Sequence, residues 1–209
     1  IKMLVDKHGS QYRIDMHLKK SKSKGIAVNG IPIKKVSELF GIVNIIFFSP
    51  EDLNLVKKGP AERRRFIDFE LCQLDKVYTN HLMNYNKVLL QRNKLLKDMA
   101  FNPALSDTLS VWDEQLITYG ESVMKDRAKF VGQLNSVIQG LHETLTGGKE
   151  KIEIVYEPDA APGRFEDELH GSRERDLKQH STCKGPHRDD ICFLVNGIDI
   201  RKYGSQGQQ

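Results

Sequence analysis

The residue pattern predicts a mixed α+β fold in which a long helical segment interrupts strand-forming sequence. Three observations carry this. Apolar and polar residues alternate with a period of two before about residue 50; the apolar spacing becomes three and four from about 51 to 145; short alternating runs return after Gly148. The simplest arrangement is a helical arm projecting from a mixed sheet to which both flanks contribute. The 209 residues suffice for one large domain or two small ones. A hydrophobic content of 39% with 29% charged residues is that of a globular chain and excludes general disorder.

In order along the chain, Tyr12, Ile14, Met16 and Leu18 alternate with charged residues and read as a half-buried strand. A basic tip follows at Lys19, Lys20, Lys22 and Lys24. Asn29-Gly30 sits between the short apolar runs 26–28 and 31–33, the position of a tight hairpin turn. Residues 42–48 are almost wholly apolar and suit a strand covered on both faces. Ser49-Pro50-Glu51-Asp52 has the composition of a helix start, and Gly59-Pro60-Ala61-Glu62 restarts a helix. Two stripes follow, Tyr78, Leu82, Tyr85, Leu89, Leu96, Met99 and then Leu105 through Trp112, Tyr119 and Phe130 to Leu145, separated by Asn102-Pro103. Helices so joined are expected to pack antiparallel. After Thr146-Gly147-Gly148, residues 152–157 form a strand, the charged stretch 164–179 a solvated helix or a partly mobile segment, and 191–195 a buried strand turning at Asn196-Gly197.

Composition also bounds location. No apolar stretch reaches the roughly 20 residues of a membrane-crossing helix. The chain opens without an initiator Met or a signal-peptide pattern, so both ends read as cuts through a longer protein. Cys72, Cys183 and Cys192 are odd in number and lack zinc spacing, which fits a reducing cytoplasm. A net charge of +4 permits a polyanionic partner without requiring one.

Four stretches carry chemistry. Gly204-Ser205-Gln206-Gly207-Gln208 offers backbone N–H groups, a hydroxyl and amides, which would cradle an anion if a helix began after it; a glycine-rich hairpin end or a disordered tail fits the same residues. Gly185-Pro186-His187-Arg188-Asp189-Asp190 holds metal-ligand residue types, but neighbours on a strand point to opposite faces, and a polar turn with an internal Arg–carboxylate pair fits better. Arg63-Arg64-Arg65 fans around a helix, so at least one arginine joins a structural network while the others stay open to DNA or an interdomain contact. The lysine tip suits non-specific phosphate attraction, or a solvated hairpin end. No Gly-x-x-x-x-Gly-Lys-Ser/Thr loop and no apolar strand ending in paired carboxylates occur, so this segment alone lacks the parts to hydrolyse a nucleotide. No catalytic set and no metal site is assigned.

Three of these stretches form an ordered set: Phe48-Ser49-Pro50-Glu51-Asp52-Leu53 with Gly59-Pro60-Ala61-Glu62-Arg63-Arg64-Arg65-Phe66-Ile67-Asp68, then Gly185–Asp190, then Tyr203–Gln209. With Trp112-Asp113-Glu114-Gln115-Leu116, the set resembles the RecF family of bacterial DNA replication and repair proteins over essentially the whole chain. That resemblance implies an ABC-type, SMC-head-like ATPase. Its Walker A loop would precede Ile1 and its Walker B strand would follow Gln209. The implied organisation is 1–50 strands of the ATPase lobe, 51–148 a helical lobe, and 149–209 return strands leading to the signature motif. Ser205, Gln206, Gly207 and Gln208 match that motif, which would face ATP held by a partner subunit. The family resemblance further implies Mg2+, an ATP-dependent homodimer, a weak ATPase activity in the intact protein, and cytoplasmic location. It implies binding to single-stranded, gapped or junction DNA, action with RecO and RecR in loading RecA, and a part in SOS induction. Lys19, Lys20, Lys22, Lys24, Arg63 and Arg64 are the DNA-binding candidates. ABC ATPases usually carry a magnesium-holding Gln between the lobes; the junction here reads Phe48-Ser49-Pro50-Glu51-Asp52, and that contact stays unassigned. The competing reading is a non-enzymatic helical interaction module, which an exposed apolar stripe over Leu105–Leu145 would favour.

Overall fold

Three Asn-Gly or His-Gly pairs set the strand architecture. In a computed structural model describing residues 1–20, 25–47 and 49–203, His8-Gly9, Asn29-Gly30 and Asn196-Gly197 all have positive φ. This is the backbone that two-residue hairpin turns require. The first pair joins β1 (Lys2–Lys7) to β2 (Ser10–His17), a strand pairing the alternation reading did not include. The second joins β3 (Gly25–Val28) to β4 (Ile31–Ile33), and the four strands form an antiparallel meander in chain order. Asn29 Oδ1 also accepts the Arg13 N–H of β2 at 2.7 Å, so the turn residue pins the neighbouring strand.

The helical region follows its apolar spacing. After a 3-10 turn at Pro50–Leu53, α1 is a single turn at Asn54–Lys57. Asp52 caps the entry by accepting the Ser49 N–H at 2.6 Å. Gly59 and Pro60 start α2 (Pro60–Leu74), and Asp75 caps α3 (Lys76–Asp98) by accepting from the Val77 and Tyr78 N–H groups. A 3-10 segment at Pro103–Thr108, capped by Asn102, leads into α4 (Leu109–Thr146), which ends on left-handed Gly147. Arg92 late in α3 meets Asp113 near the start of α4, and Tyr78 at the start of α3 meets Arg127 halfway along α4, so the two helices run antiparallel. Leu109, Leu116, Val123 and Phe130 of the α4 stripe are buried, whereas Val137, Leu141 and Leu145 at its end are exposed.

The second sheet is β5 (Ile152–Glu157), β6 (Asp190–Val195) and β7 (Ile198–Asp199), again antiparallel. Asn135 of α4 covers its edge: the amide donates to the Ile154 carbonyl and accepts the Ile154 N–H, at 2.6 and 2.8 Å. Between β5 and β6 lie α5 (Phe165–Gly171) and α6 (Arg173–Gln179); α7 (Ile200–Tyr203) follows β7.

Three expectations are corrected. Residues 43–47 form no strand; Ile46 is 93% exposed, the Ile45 N–H donates to Gln73 Oε1 at 2.7 Å, and among the described residues no strand pairs with this run. The two flanks build separate antiparallel sheets, not one mixed sheet. The charged 164–179 stretch is not a solvated helix, because Phe165 and Leu169 are in the core and Asp176 is buried in an ion network. Among the described residues, no helix is long and apolar enough to cross a membrane.

Candidate functional site

The turn Gly185–Asp190 lies where α2, α3, α4, α7 and β5 converge. Gly185 has φ +129°, and a Cβ there would sit 2.7 Å from the Tyr85 hydroxyl, so the chain passes Tyr85 closer than any other residue permits. The Tyr85 hydroxyl meets His187 Nδ1 at 2.6 Å, and His187 Nε2 lies 3.1 Å from the Thr182 carbonyl. A carbonyl can only accept, which puts the imidazole proton on Nε2 and makes Nδ1 the acceptor of the tyrosine proton. Burial lowers the His187 pKa and raises that of Tyr85, keeping both neutral.

Asp189 and Asp190 then point to opposite faces at the start of β6, and each gathers cations from distant elements. Asp189 accepts from Arg127 Nη1 at 2.8 Å, from the Tyr156 hydroxyl and from the Asp159 N–H, while its carbonyl accepts Arg64 Nη1 at 2.6 Å. Arg127 simultaneously holds Asp68 of α2 and the Pro186 carbonyl. Burial alone would lower the Arg127 pKa; Asp68, Tyr78 and Asp189 outweigh it and the net shift is upward. Asp190 accepts both Arg63 Nε and Nη2, at 2.6 and 2.9 Å, and Arg201 Nη1 at 2.9 Å. The pairing is therefore between elements, not the internal Arg188–carboxylate pair expected for a polar turn. A second buried cluster joins Arg92 to Asp113, Asp176 and Thr182, with Arg173 on the far oxygen of Asp113.

Arg201 fixes the root of the chain that leads toward Ser205. Its guanidinium donates to Asp199, Glu157, Asp190 and the Ile191 carbonyl, and Asp199 also accepts the Arg201 N–H as the cap of α7. These bonds to Arg201 hold the Asp199 carboxyl down at about 2. A folded-state pKa below the ordinary value means that the interaction stabilises the protein above about pH 4 and is lost as pH falls toward 2. Asp199→Asn is accordingly expected to lower the urea midpoint at pH 6, and the gap from wild type should close between pH 4 and pH 2.

The sequence candidates separate. Ser205, Gln206, Gly207, Gln208, Lys22 and Lys24 lie outside the described residues. Lys19 and Lys20 are exposed. Arg63 is only 4% exposed and bonded bidentately to Asp190, so its guanidinium is committed inside the protein, not free for a phosphate. Arg64 is half-buried at a cleft between α2 and α3. Arg92, Arg127, Asp176 and Arg201 were not singled out from sequence. The three cysteines are free and buried; burial raises each thiol pKa, that of Cys192 to about 11, which disfavours a nucleophilic role. Among the described residues, no group of His, Cys, Asp and Glu converges as a metal site.

This arrangement of two sheets, a long helix pair and a β6–β7–α7 return superposes on two solved structures. One, the recombination mediator protein RecF-ATPrS in the RecFOR pathway, aligns with TM-score 0.90 and 34% identity, over 99% of this chain and 58% of that one. The other, the RecF-ATP form, gives 0.88 and 35%, over 95% and 55%. The fold is that of part of an ABC-type ATPase head. At the level of sequence, the chain is 61% identical over its full length to the DNA replication and repair proteins RecF of Lachnospira eligens and Agathobacter rectalis, and 42% identical to that of Clostridium perfringens. It spans 58% of the length of these relatives. No family model matches. Over its whole length the chain is thus similar to part of the DNA replication and repair protein RecF.

Proposed function

We propose that this segment works within an ATP-dependent DNA-binding protein of recombinational repair, and that Ser205–Gln208 forms the signature loop contacting ATP held by a second copy. The observation that carries this reading is full-length similarity to RecF at 61% identity, in a chain whose last described helix is clamped by Arg201 next to that loop. The donor set suits a triphosphate: between Lys202 and Gln209 there is a hydroxyl, amides and backbone N–H groups, and no carboxylate. Ser205 would donate to a phosphate oxygen and Gly207 would allow close backbone approach. ATP would thus complete an interface between two copies and drive dimerisation.

The same reading assigns residues 1–50 and 149–209 to the ATPase lobe and 51–148 to the helical lobe. It assigns Mg2+ to the intact protein, and single-stranded, gapped or junction DNA as the substrate surface's partner. RecO and RecR are the assigned protein partners, with RecA loading and SOS induction the outcome in the cytoplasm. Lys19 and Lys20 remain the exposed DNA-contact candidates beside Lys22 and Lys24. The helical-module alternative loses support over Leu109–Phe130, where the α4 stripe is buried inside the protein.

Ser205→Arg in the intact protein is expected to abolish ATP-driven dimerisation in light scattering, while the monomer still binds ATP. Undiminished dimerisation would remove the signature assignment.

A further inference from the structure

The α2–α3 cleft has a volume of about 440 Å³, within the range of small-ligand sites. Its lining includes Arg64, Arg65 and Phe69 of α2, Asn86 of α3, Phe40 and His187. Its charge is unbalanced. Three guanidiniums line it, those of Arg64, Arg65 and Arg127, against the single carboxylate of Asp68. That carboxylate is already held by Arg127.

Arg64 and Arg65 form no ion pair among the described residues. Arg64 spends one nitrogen on the Asp189 carbonyl. The carboxylates around it, Asp68, Asp189 and Asp190, are engaged by Arg127, Arg63 and Arg201. Burial and then repulsion from Arg127 lower the Arg64 pKa, outweighing the upward pull of the Asp189, Asp190 and Asp68 carboxylates, which are held by other arginines. Two aromatic rings also line it: Phe69 is 51% exposed, and Phe40 meets it edge-on with ring centroids 6.5 Å apart. Guanidinium forks match phosphate oxygens, and an exposed ring offers a stacking face to a base.

We infer that this cleft binds a nucleotide unit, with its phosphate on Arg64 and Arg65 and its base against Phe69 and Phe40. This site is separate from the loop proposed to contact ATP and does not depend on that reading. The nucleotide can come from two sources, a free mononucleotide or a residue of single-stranded DNA.

The test uses the intact protein and one photochemistry for both sources. 5-Bromo-2′-deoxyuridine 5′-monophosphate, and separately a single-stranded oligothymidylate carrying one bromouracil, are cross-linked by ultraviolet light and the adducts mapped by mass spectrometry. Adducts at Phe69, Phe40 or their flanking residues are expected. Capture of the mononucleotide alone assigns a free nucleotide, and stronger capture of the strand assigns DNA; both support the site. Arg65→Gln and Phe69→Ala change exposed side chains, so the urea midpoint should hold while cross-linking affinity falls about tenfold for each. Arg65→Gln should also flatten the salt dependence of strand binding by about one phosphate contact. Its ATP-driven dimerisation is expected to match wild type, which separates failure of the cleft from failure of the signature loop. Absence of adducts there, adducts unaffected by both variants, or protection of Arg65 by an acidic peptide but not by either nucleotide would each overturn the inference.

Discussion

Arg127→Met is expected to destabilise the protein by about 3–5 kcal/mol, because removing one member of a buried ion cluster leaves the others uncompensated. Arg127 is 3% exposed and bridges Asp68 on α2 to Asp189 at the start of β6. Methionine fills much of the same volume, so the loss would report charge rather than a cavity. Asp189, 1% exposed, would keep only the Tyr156 hydroxyl and the Asp159 N–H. Urea unfolding at pH 7 measures the loss, and adding Asp189→Asn to Arg127→Met should recover part of it, since the stranded charge is then gone. A loss below about 1 kcal/mol, the scale of exposed pairs, would mean that the cluster is solvated.

Gly120→Ala should cost about 3 kcal/mol, at the upper end of over-packing effects. A Cβ at Gly120 would stand 2.5 Å from Phe165 Cε1 and 3.2 Å from Tyr85 Cε2. The Phe165 ring has little room to swing away, because the Gly185 backbone closes on its other end, so tightly that a Cβ there would lie 2.9 Å from Phe165 Cζ. The ring is gripped between two glycines, and both it and Tyr85 are at most 1% exposed. The same substitution twelve residues along α4 has the opposite expected sign. Gly132 is exposed with nothing within 4 Å of a Cβ, so Gly132→Ala should stabilise by about 0.5–1 kcal/mol through helix propensity alone. Thermal melts of the pair decide whether packing or propensity governs this helix.

Local chemistry made much of the fold legible. Asn29-Gly30, Asn196-Gly197, Pro60 and Gly147 act within a few residues, and each does what its backbone preference dictates. The failures are non-local. An apolar run such as 42–48 states a capacity for burial, but a ladder also needs a neighbouring strand. Residues 164–179 looked solvated because charges outnumber apolar residues, yet Asp176 finds Arg92 across 84 positions. A local pattern cannot announce such a pairing. One signal was nevertheless available. The stripes step seven positions from Leu89 to Leu96 and from Val123 to Phe130, and the inward places left open are filled by Arg92 and Arg127. A charge in the gap of an apolar stripe must find a partner inside, and both do. Of the candidate site, the opposite faces of Asp189 and Asp190 and a structural role for at least one of Arg63, Arg64 and Arg65 were legible, whereas that Arg63 is that arginine, and which cations each aspartate gathers, required the distant elements to be seen in place.

The most direct measurement is a crystal structure of the intact homodimer with a non-hydrolysable ATP analogue. Ser205 Oγ is expected within hydrogen-bond distance of a terminal phosphate oxygen carried by the opposite copy. Ser205 facing solvent, with that phosphate contacted by some other segment, would contradict the assignment.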